Sequence, residues 1–355
     1  MIEVALSMLT LVPGSMGGSE TYVKELTRQL ATAHGVHATA YVPAAAAGFS
    51  QGIDEHTISR VRSGGSSIER LRALGSAALF APGIRRVMAG AQVVHYPFTV
   101  PVPRPSRGQA FVQTLHDLQH LDLPQLFSRP ELAYRRHFYE GAARRADAVI
   151  TISEFAKQRI VELLGLAPEK IHVAHLAVDP AEFIANPGAR ENFVLYPARG
   201  WQHKNHARLI KAMSIVRTHT PGMRLVLTGG GLDALGELPD WVDRKGLVSD
   251  ADLKSLYRTA AVLAFPSLYE GFGLPPLEAM ASGCPVAASN AGSIPEVCGD
   301  AAVLFDPLDV ESIASGIIEA INRRSELASE GARRVQHFAW QRCRDAHLAA
   351  YRSVA

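Results

Sequence analysis

The stretch Tyr269-Glu270-Gly271-Phe272-Gly273-Leu274-Pro275-Pro276-Leu277-Glu278-Ala279-Met280 decides how the chain is read. The apolar run before it, 261–266, and the one after it, 284–288, read as buried strands. Pro275 and Pro276 lack backbone N–H groups and suit a helix start, not a helix interior. Glu270 therefore belongs to a loop and Glu278 to the first turn or so of a short helix. Two carboxylates then surround one helix N-terminus, whose free N–H groups can face an anion. Each also has a plain alternative. Glu278 could be a first-turn acid favoured by the helix dipole, and Glu270 a solvated loop residue. Gly271 and Gly273 argue for the ligand reading, since they let backbone approach a ligand closely at a strand's carboxyl end.

Working outward, further loops of the same kind appear. Phe193–Pro197 reads as a strand, followed by Ala198-Arg199-Gly200-Trp201-Gln202-His203-Lys204-Asn205 and a helix over 206–218. Two cations on a loop at a strand end suit a diphosphate, or are simply two surface bases. Arg224–Thr228 ends in Gly229-Gly230-Gly231, which could carry phosphate or merely turn. Asp243–Gly246 leads into Leu247-Val248, where Ser249 or Asp250 can cap the next helix. Asp250-Ala251-Asp252 has a metal-binding spelling but reads as that cap.

The first half repeats the pattern. Residues 3–12 form a strand, then Pro13-Gly14-Ser15-Met16-Gly17-Gly18 opens an amphipathic helix. The glycines do not spell G-x-G-x-x-G, yet a glycine loop before a helix is an anion site or a flexible turn. Residues 36–42, 91–96, 110–115, 147–152 and 171–174 are further strands, with Ser153 capping a helix over 154–164. The βα repetition argues for parallel sheets covered by helices on both faces. His116 ends the 110–115 strand, with Asp117 beside it to orient the ring; His120 is a lesser candidate. A helix over 130–145 carries Arg135, Arg136, Arg144 and Arg145 among aromatics. It could recognise an anionic acceptor or be a solvated face. A helix over 67–79, with Arg85 and Arg86 beyond it, could dock on an anionic membrane or be an ordinary surface helix with snorkelling arginines.

Glu270-x7-Glu278 in the setting PSLYEGFGLPPLEAMASGCPV (266–286) resembles the signature of retaining glycosyltransferases of family 4, the group 1 type. The string VQTLHDLQHLDLPQLFS (112–128) resembles that family's N-domain histidine motif. The resemblance runs through nearly the whole chain in motif order. It implies a GT-B fold, two Rossmann-like α/β domains facing a central cleft. It implies catalytic roles at the donor sugar for Glu270 and His116, and the ribose hydroxyls for Glu278. Arg199, Lys204 and the backbone of Phe272, Gly273 and Leu274 would meet the diphosphate. The Gly17-Gly18 loop would close over the donor phosphate, and backbone at Val248 would touch the base. The implied domains are an acceptor-side unit over 1–185, a nucleotide-sugar unit over 190–338, and a last segment, 339–355, crossing back onto the first. Neither a metal nor another cofactor is expected.

The implied function is transfer of a sugar from a nucleotide sugar to a glycan or lipid-linked acceptor of surface-polysaccharide type. The 112–160 region resembles mannosyltransferases of O-antigen type, which points to GDP-mannose. Composition is compatible with this. With 355 residues, 47% hydrophobic, two cores can be filled. A net charge of +2 gives no argument for nucleic acid, and three separated cysteines make neither a disulfide framework nor a metal site. The N-terminus reads as a strand, not a signal peptide, and no run reads as a transmembrane helix, so a cytoplasmic enzyme is expected, either free or peripheral on the inner membrane face. Three rivals share parts of the pattern. An NAD-dependent dehydrogenase needs the missing G-x-G-x-x-G. A sugar-nucleotide epimerase or hydrolase would show in product analysis. A non-catalytic nucleotide-sugar sensor need not keep Glu270, Glu278, Arg199, Lys204 and His116 together.

Overall fold

The computed structural model describes residues 1–61, 75–183, 188 and 190–355. The expected helix over 67–79 lies mostly outside the described residues; 75–79 are helical. The chain forms two compact units, Met1–Leu176 with Trp340–Ala355, and Ala177–Ala339.

The first unit holds β1 (Ile2–Ser7), β2 (Val36–Pro43), β3 (Asp54–Ile58), β4 (Val93–Tyr96), β5 (Ala110–Thr114), β6 (Ala148–Thr151) and β7 (Ile171–Val173). They hydrogen-bond in the order β3-β2-β1-β4-β5-β6-β7, all parallel. The central strands are apolar at successive positions because helices cover both faces, so every residue of β4 and β6 is buried. β1 stops at Ser7, short of the expected Val12. Met8, Leu9 and Leu11 are buried all the same, so the apolar signal there reports core and not strand. β3 was not legible: DEHTI is polar, and an edge strand with one neighbour keeps water on its free side. The expected single helix over 130–145 is Arg129–Arg135, a π turn over Arg136–Glu140, and Gly141–Arg145. The π turn frees carbonyls, and the buried Gln113 amide donates to that of Phe138 at 3.3 Å. The last helix, Trp340–Arg352, packs on the helix Gly18–Leu30 and on β6 and β7.

The second unit holds β8 (Glu191–Pro197), β9 (Arg224–Thr228), β10 (Val242–Gly246), β11 (Ala260–Phe265), β12 (Val286–Ser289) and β13 (Val303–Phe305). Their order is β10-β9-β8-β11-β12-β13, again all parallel. Parallel pairing puts every strand's carboxyl end along one edge of its sheet. Strand order reverses between β1 and β4, and between β8 and β11, and such switch points open the crevices where α/β sheets bind ligands.

Candidate active site

Lys204 and Glu270 meet across the β8/β11 reversal. Lys204 ends a short 3-10 turn after β8, and Glu270 lies in the loop after β11. The Lys204 Nζ donates to Glu270 Oε1 at 2.5 Å, with side chains 14% and 15% exposed. Two residues outside the sequence reading hold this pair together. Asn205, at φ 61°, donates from its buried side-chain amide to the carbonyls of Pro266 and Pro307, at 3.1 and 2.7 Å. The Leu268 amide donates to the His203 carbonyl at 2.8 Å, closing the strap. On the other side, the Ser293 hydroxyl donates to the Phe272 carbonyl at 2.6 Å and lies 3.0 Å from that of Glu270. Asn205 had a local signal, a turn former at a helix start. Ser293 had none, because its partners are remote in the chain.

Arg199 stands on the same edge. Its guanidinium lies 5.3 Å from the centre of the Trp201 ring, which is 54% exposed. Among the described residues the Arg199 side chain makes no hydrogen bond or ion pair; its carbonyl accepts from the Trp201 amide at 2.8 Å. Such a stacked guanidinium is oriented yet keeps its five donors for a ligand. The triple glycine serves packing: a Cβ at Gly200 would sit 2.1 Å from the Gly231 carbonyl oxygen, and one at Gly229 2.5 Å from that of Ala198. The Gly200 amide donates to the Gly230 carbonyl at 3.0 Å, so the cation loop is laid backbone to backbone on 229–231.

The helix Leu274–Ala281 begins after Gly273, whose φ of 117° is closed to ordinary side chains. Phe272 is buried, with its ring edge-on to Phe338 at 5.6 Å. Glu278 is the fifth residue of this helix, just past its first turn, and is half-buried. Its Oε2 accepts from the Tyr257 hydroxyl at 2.7 Å. Burial foremost raises the Glu278 carboxyl above the usual range, against the lowering effect of that hydrogen bond. Val248 is half-buried in the loop after β10, on the same carboxyl edge. Ser249, not Asp250, caps the next helix, and its hydroxyl donates to Asp252 Oδ2 at 2.6 Å. Among the described residues no group of three or more His, Cys, Asp or Glu could hold a metal ion.

In the first unit, Gly17 and His116 occupy carboxyl-edge loops after β1 and β5. Gly17 precedes the helix Gly18–Leu30 with φ 59° and open space where a side chain would stand. Glu20 folds back to accept from the Gly14 amide at 3.0 and 2.9 Å, shaping the loop. The His116 ring is not oriented by Asp117, contrary to expectation. Its Nε2 donates to the Pro97 carbonyl at 2.9 Å, while Asp117 Oδ1 accepts from the Gln119 amide at 3.1 Å. An aspartate whose carboxylate closes a turn two residues on is not aimed at its neighbour's ring. Burial lowers the His116 pKa, so the ring is neutral with Nδ1 as its acceptor face. His120 is buried against Glu140 at 3.3 Å, a structural placement. Of the bases on the 129–145 segment, Arg135 lies between the Phe127 and Tyr139 rings, at 4.5 and 5.0 Å, and Arg144 donates to the Leu164 carbonyl. Both are committed to packing.

The chain is similar to known proteins. The Glycosyltransferase Family 4 description matches residues 16–182, and Glycosyl transferases group 1 matches 180–335. An O-antigen chain mannosyltransferase B of Escherichia coli is 30% identical over 273 residues, 70% of this chain and 71% of that protein. The O-antigen chain mannosyltransferase RfbU of Salmonella typhimurium is 32% identical over 58% of this chain and 59% of its own length. A sucrose-phosphate synthase from Thermosynechococcus elongatus superposes with TM-score 0.78 at 22% identity, covering 99% of this chain and 98% of that one. HepE from Anabaena, solved with UDP and glucose, gives 0.73 at 18% identity, covering 98% of each. The chain belongs to glycosyltransferase family 4, a retaining family of GT-B fold, and is a glycosyltransferase.

Proposed function

We propose that the chain transfers mannose from GDP-mannose to a hydroxyl of a growing or lipid-linked glycan, with retention at the sugar carbon. The single observation that carries a donor site is the Lys204–Glu270 pair at the β8/β11 reversal, beside Arg199 and a helix N-terminus. Mannose is favoured by the relatives named mannosyltransferases. The second unit is the nucleotide-sugar side and the first the acceptor side.

In this reading Lys204, Arg199 and the backbone amides at Phe272, Gly273 and Leu274 take the diphosphate charge. Glu278 and Tyr257 receive the ribose hydroxyls, and Val248 backbone meets the base. As the bond from the sugar carbon to phosphate breaks, charge builds on the departing oxygen, where fixed cations and dipoles lower the barrier most. The acceptor oxygen attacks the same face, and its proton passes to the departing phosphate oxygen. Glu270 and His116 contact and orient the sugar, and the Gly17-Gly18 loop covers the phosphate.

Calorimetric titration with GDP, UDP and ADP, with and without EDTA, tests the donor site. Tight GDP binding that survives EDTA supports it; UDP binding alone would move the donor to a uridine sugar. No binding of any nucleotide would count against the assignment. A transfer assay with acceptor omitted separates transferase from hydrolase or epimerase.

A peripheral site on the inner membrane face is part of the same proposal. Leu79 and Val87 are 74% and 52% exposed beside Arg85 and Arg86, and no described helix is long and apolar enough to cross a membrane. Co-flotation with anionic but not neutral vesicles is expected, and equal partition would remove this part.

A further inference from the structure

The first unit holds a buried polar chain that the transfer chemistry does not use. Its members are His95 on β4, Thr114 on β5, Tyr22 on the helix Gly18–Leu30, and His347 and Tyr351 on the last helix. All five are 0% exposed. The contacts are continuous. Tyr351 Oη lies 2.9 Å from His95 Nδ1, and His95 Nε2 lies 2.7 Å from Thr114 Oγ1. Thr114 Oγ1 lies 3.0 Å from Tyr22 Oη, and Tyr22 Oη 2.6 Å from His347 Nε2. His347 Nδ1 ends the chain 2.7 Å from the Cys343 carbonyl.

That carbonyl can only accept, so His347 carries its proton on Nδ1. Burial foremost pushes the His347 pKa down to about 4, so the ring is neutral near pH 7 and its Nε2 must accept. Tyr22 therefore donates to His347 and accepts from Thr114. Thr114 accepts from His95 Nε2, and His95 Nδ1 accepts from Tyr351. One proton arrangement satisfies every contact, and reversing any link leaves two donors or two acceptors face to face.

The chain converges on His116. The Tyr22 ring meets the His116 ring edge-on, with centres 5.3 Å apart and planes at 85°. The only hydrogen bond of that ring among the described residues goes to the Pro97 carbonyl, two positions past His95. Thr114 stands two positions before His116 on the same chain. The Tyr22 contact of His116 is thus tied directly to His347, and Tyr351, one helical turn further on the last helix, holds His95 two positions before Pro97. An apolar set would attach that helix equally well, since buried polar groups add little net stability. What the polar set adds is one defined geometry.

We propose that His347 is a positioning residue for the transfer reaction: through Tyr22 it fixes the ring of His116. This rests on the reading that His116 contacts the donor sugar. The test compares His347→Phe, His347→Gln and Tyr22→Phe by kcat, donor KM and the ring nitrogen resonances of His116. In His347→Phe, kcat should fall about ten- to hundredfold with donor KM within about twofold, the scale of a misplaced catalytic group. The His116 ring should lose its single Nε2–H signature. His347→Gln, which restores an acceptor and a donor, should recover part of the rate. Should His347→Phe fail to fold, Tyr22→Phe, which keeps the ring, should show the same loss of kcat. An unchanged kcat per folded molecule with an unchanged His116 resonance overturns the proposal. If His116→Ala itself keeps full turnover, the reading of His116 falls instead.

Discussion

Replacing Lys204 by Met separates what its charge does for the fold from what it does for the reaction. The Lys204–Glu270 pair lies between the exposed and the buried limits, with side chains 14% and 15% exposed and a 2.5 Å contact. Two unit charges about 4 Å apart at an effective dielectric near 20 attract by about 4 kcal/mol, before desolvation offsets it. Fully buried pairs cost about 3–5 kcal/mol when one partner is removed, and exposed pairs about 1 or less. Lys204→Met should therefore destabilise the protein by about 2 kcal/mol, mostly because Glu270 is left half-buried without its partner. Adding Glu270→Gln removes that orphan charge, so the double variant should be more stable than Lys204→Met alone. Turnover should not follow stability. Loss of one fixed cation facing the leaving phosphate should lower kcat by about 10²–10³, and the second substitution should not restore it. Denaturant unfolding of the four proteins, with initial rates on the same samples, makes the comparison. A Lys204→Met protein with wild-type kcat would refute the donor-site argument. A double variant as unstable as the sum of the singles would refute the coupling.

Other consequences are open to measurement. Tyr257→Phe should weaken nucleotide binding by about 1 kcal/mol, since the Glu278 carboxylate loses the 2.7 Å hydroxyl that holds it; unchanged calorimetric affinity would argue against Glu278 as a ribose contact. Arg190→Lys should cost about 2–3 kcal/mol, read by thermal or denaturant unfolding, because the guanidinium donates to the carbonyls of Tyr257, Arg258, Ala260, Ser282 and Gly283 at two helix ends, and an ammonium cannot span them. His206 is buried and its pKa is pushed down to about 4, chiefly by burial. The unfolded chain then binds the proton first. The stability due to this neutral histidine is present in full above pH 6.5 and declines as pH falls toward 4, by about 3 kcal/mol at most. His206→Asn should flatten that part of the stability–pH curve, and an unaltered slope would show that His206 is not responsible.

Much of this molecule was legible in the chain. Apolar runs of four to seven residues ending in glycine, histidine or basic loops specify parallel strands, because a strand buried on both faces needs no polar alternation. Pro275 and Pro276 mark a helix start through their missing amide protons, and Ser153 caps its helix by accepting from the Ala156 amide at 3.1 Å. Those are local properties, carried within a few residues. What escaped was decided by neighbours far along the chain. β3 exists because β2 offers it a free edge, and its own DEHTI sequence carries no apolar signal. Asp117 looked like the partner of His116 because it is adjacent, yet the folded backbone delivers the Pro97 carbonyl instead. Ser293 reaches the Glu270–Phe272 loop, and Tyr22 reaches His347, only after crossovers bring them together. The amino-acid sequence by itself determined strand and helix identity, the family motifs and the type of chemistry on each loop. Tertiary structure alone decided which cation meets which carboxylate and which buried hydroxyl orients which ring, because those hydrogen bonds depend on strand order and register, not on spacing along the chain.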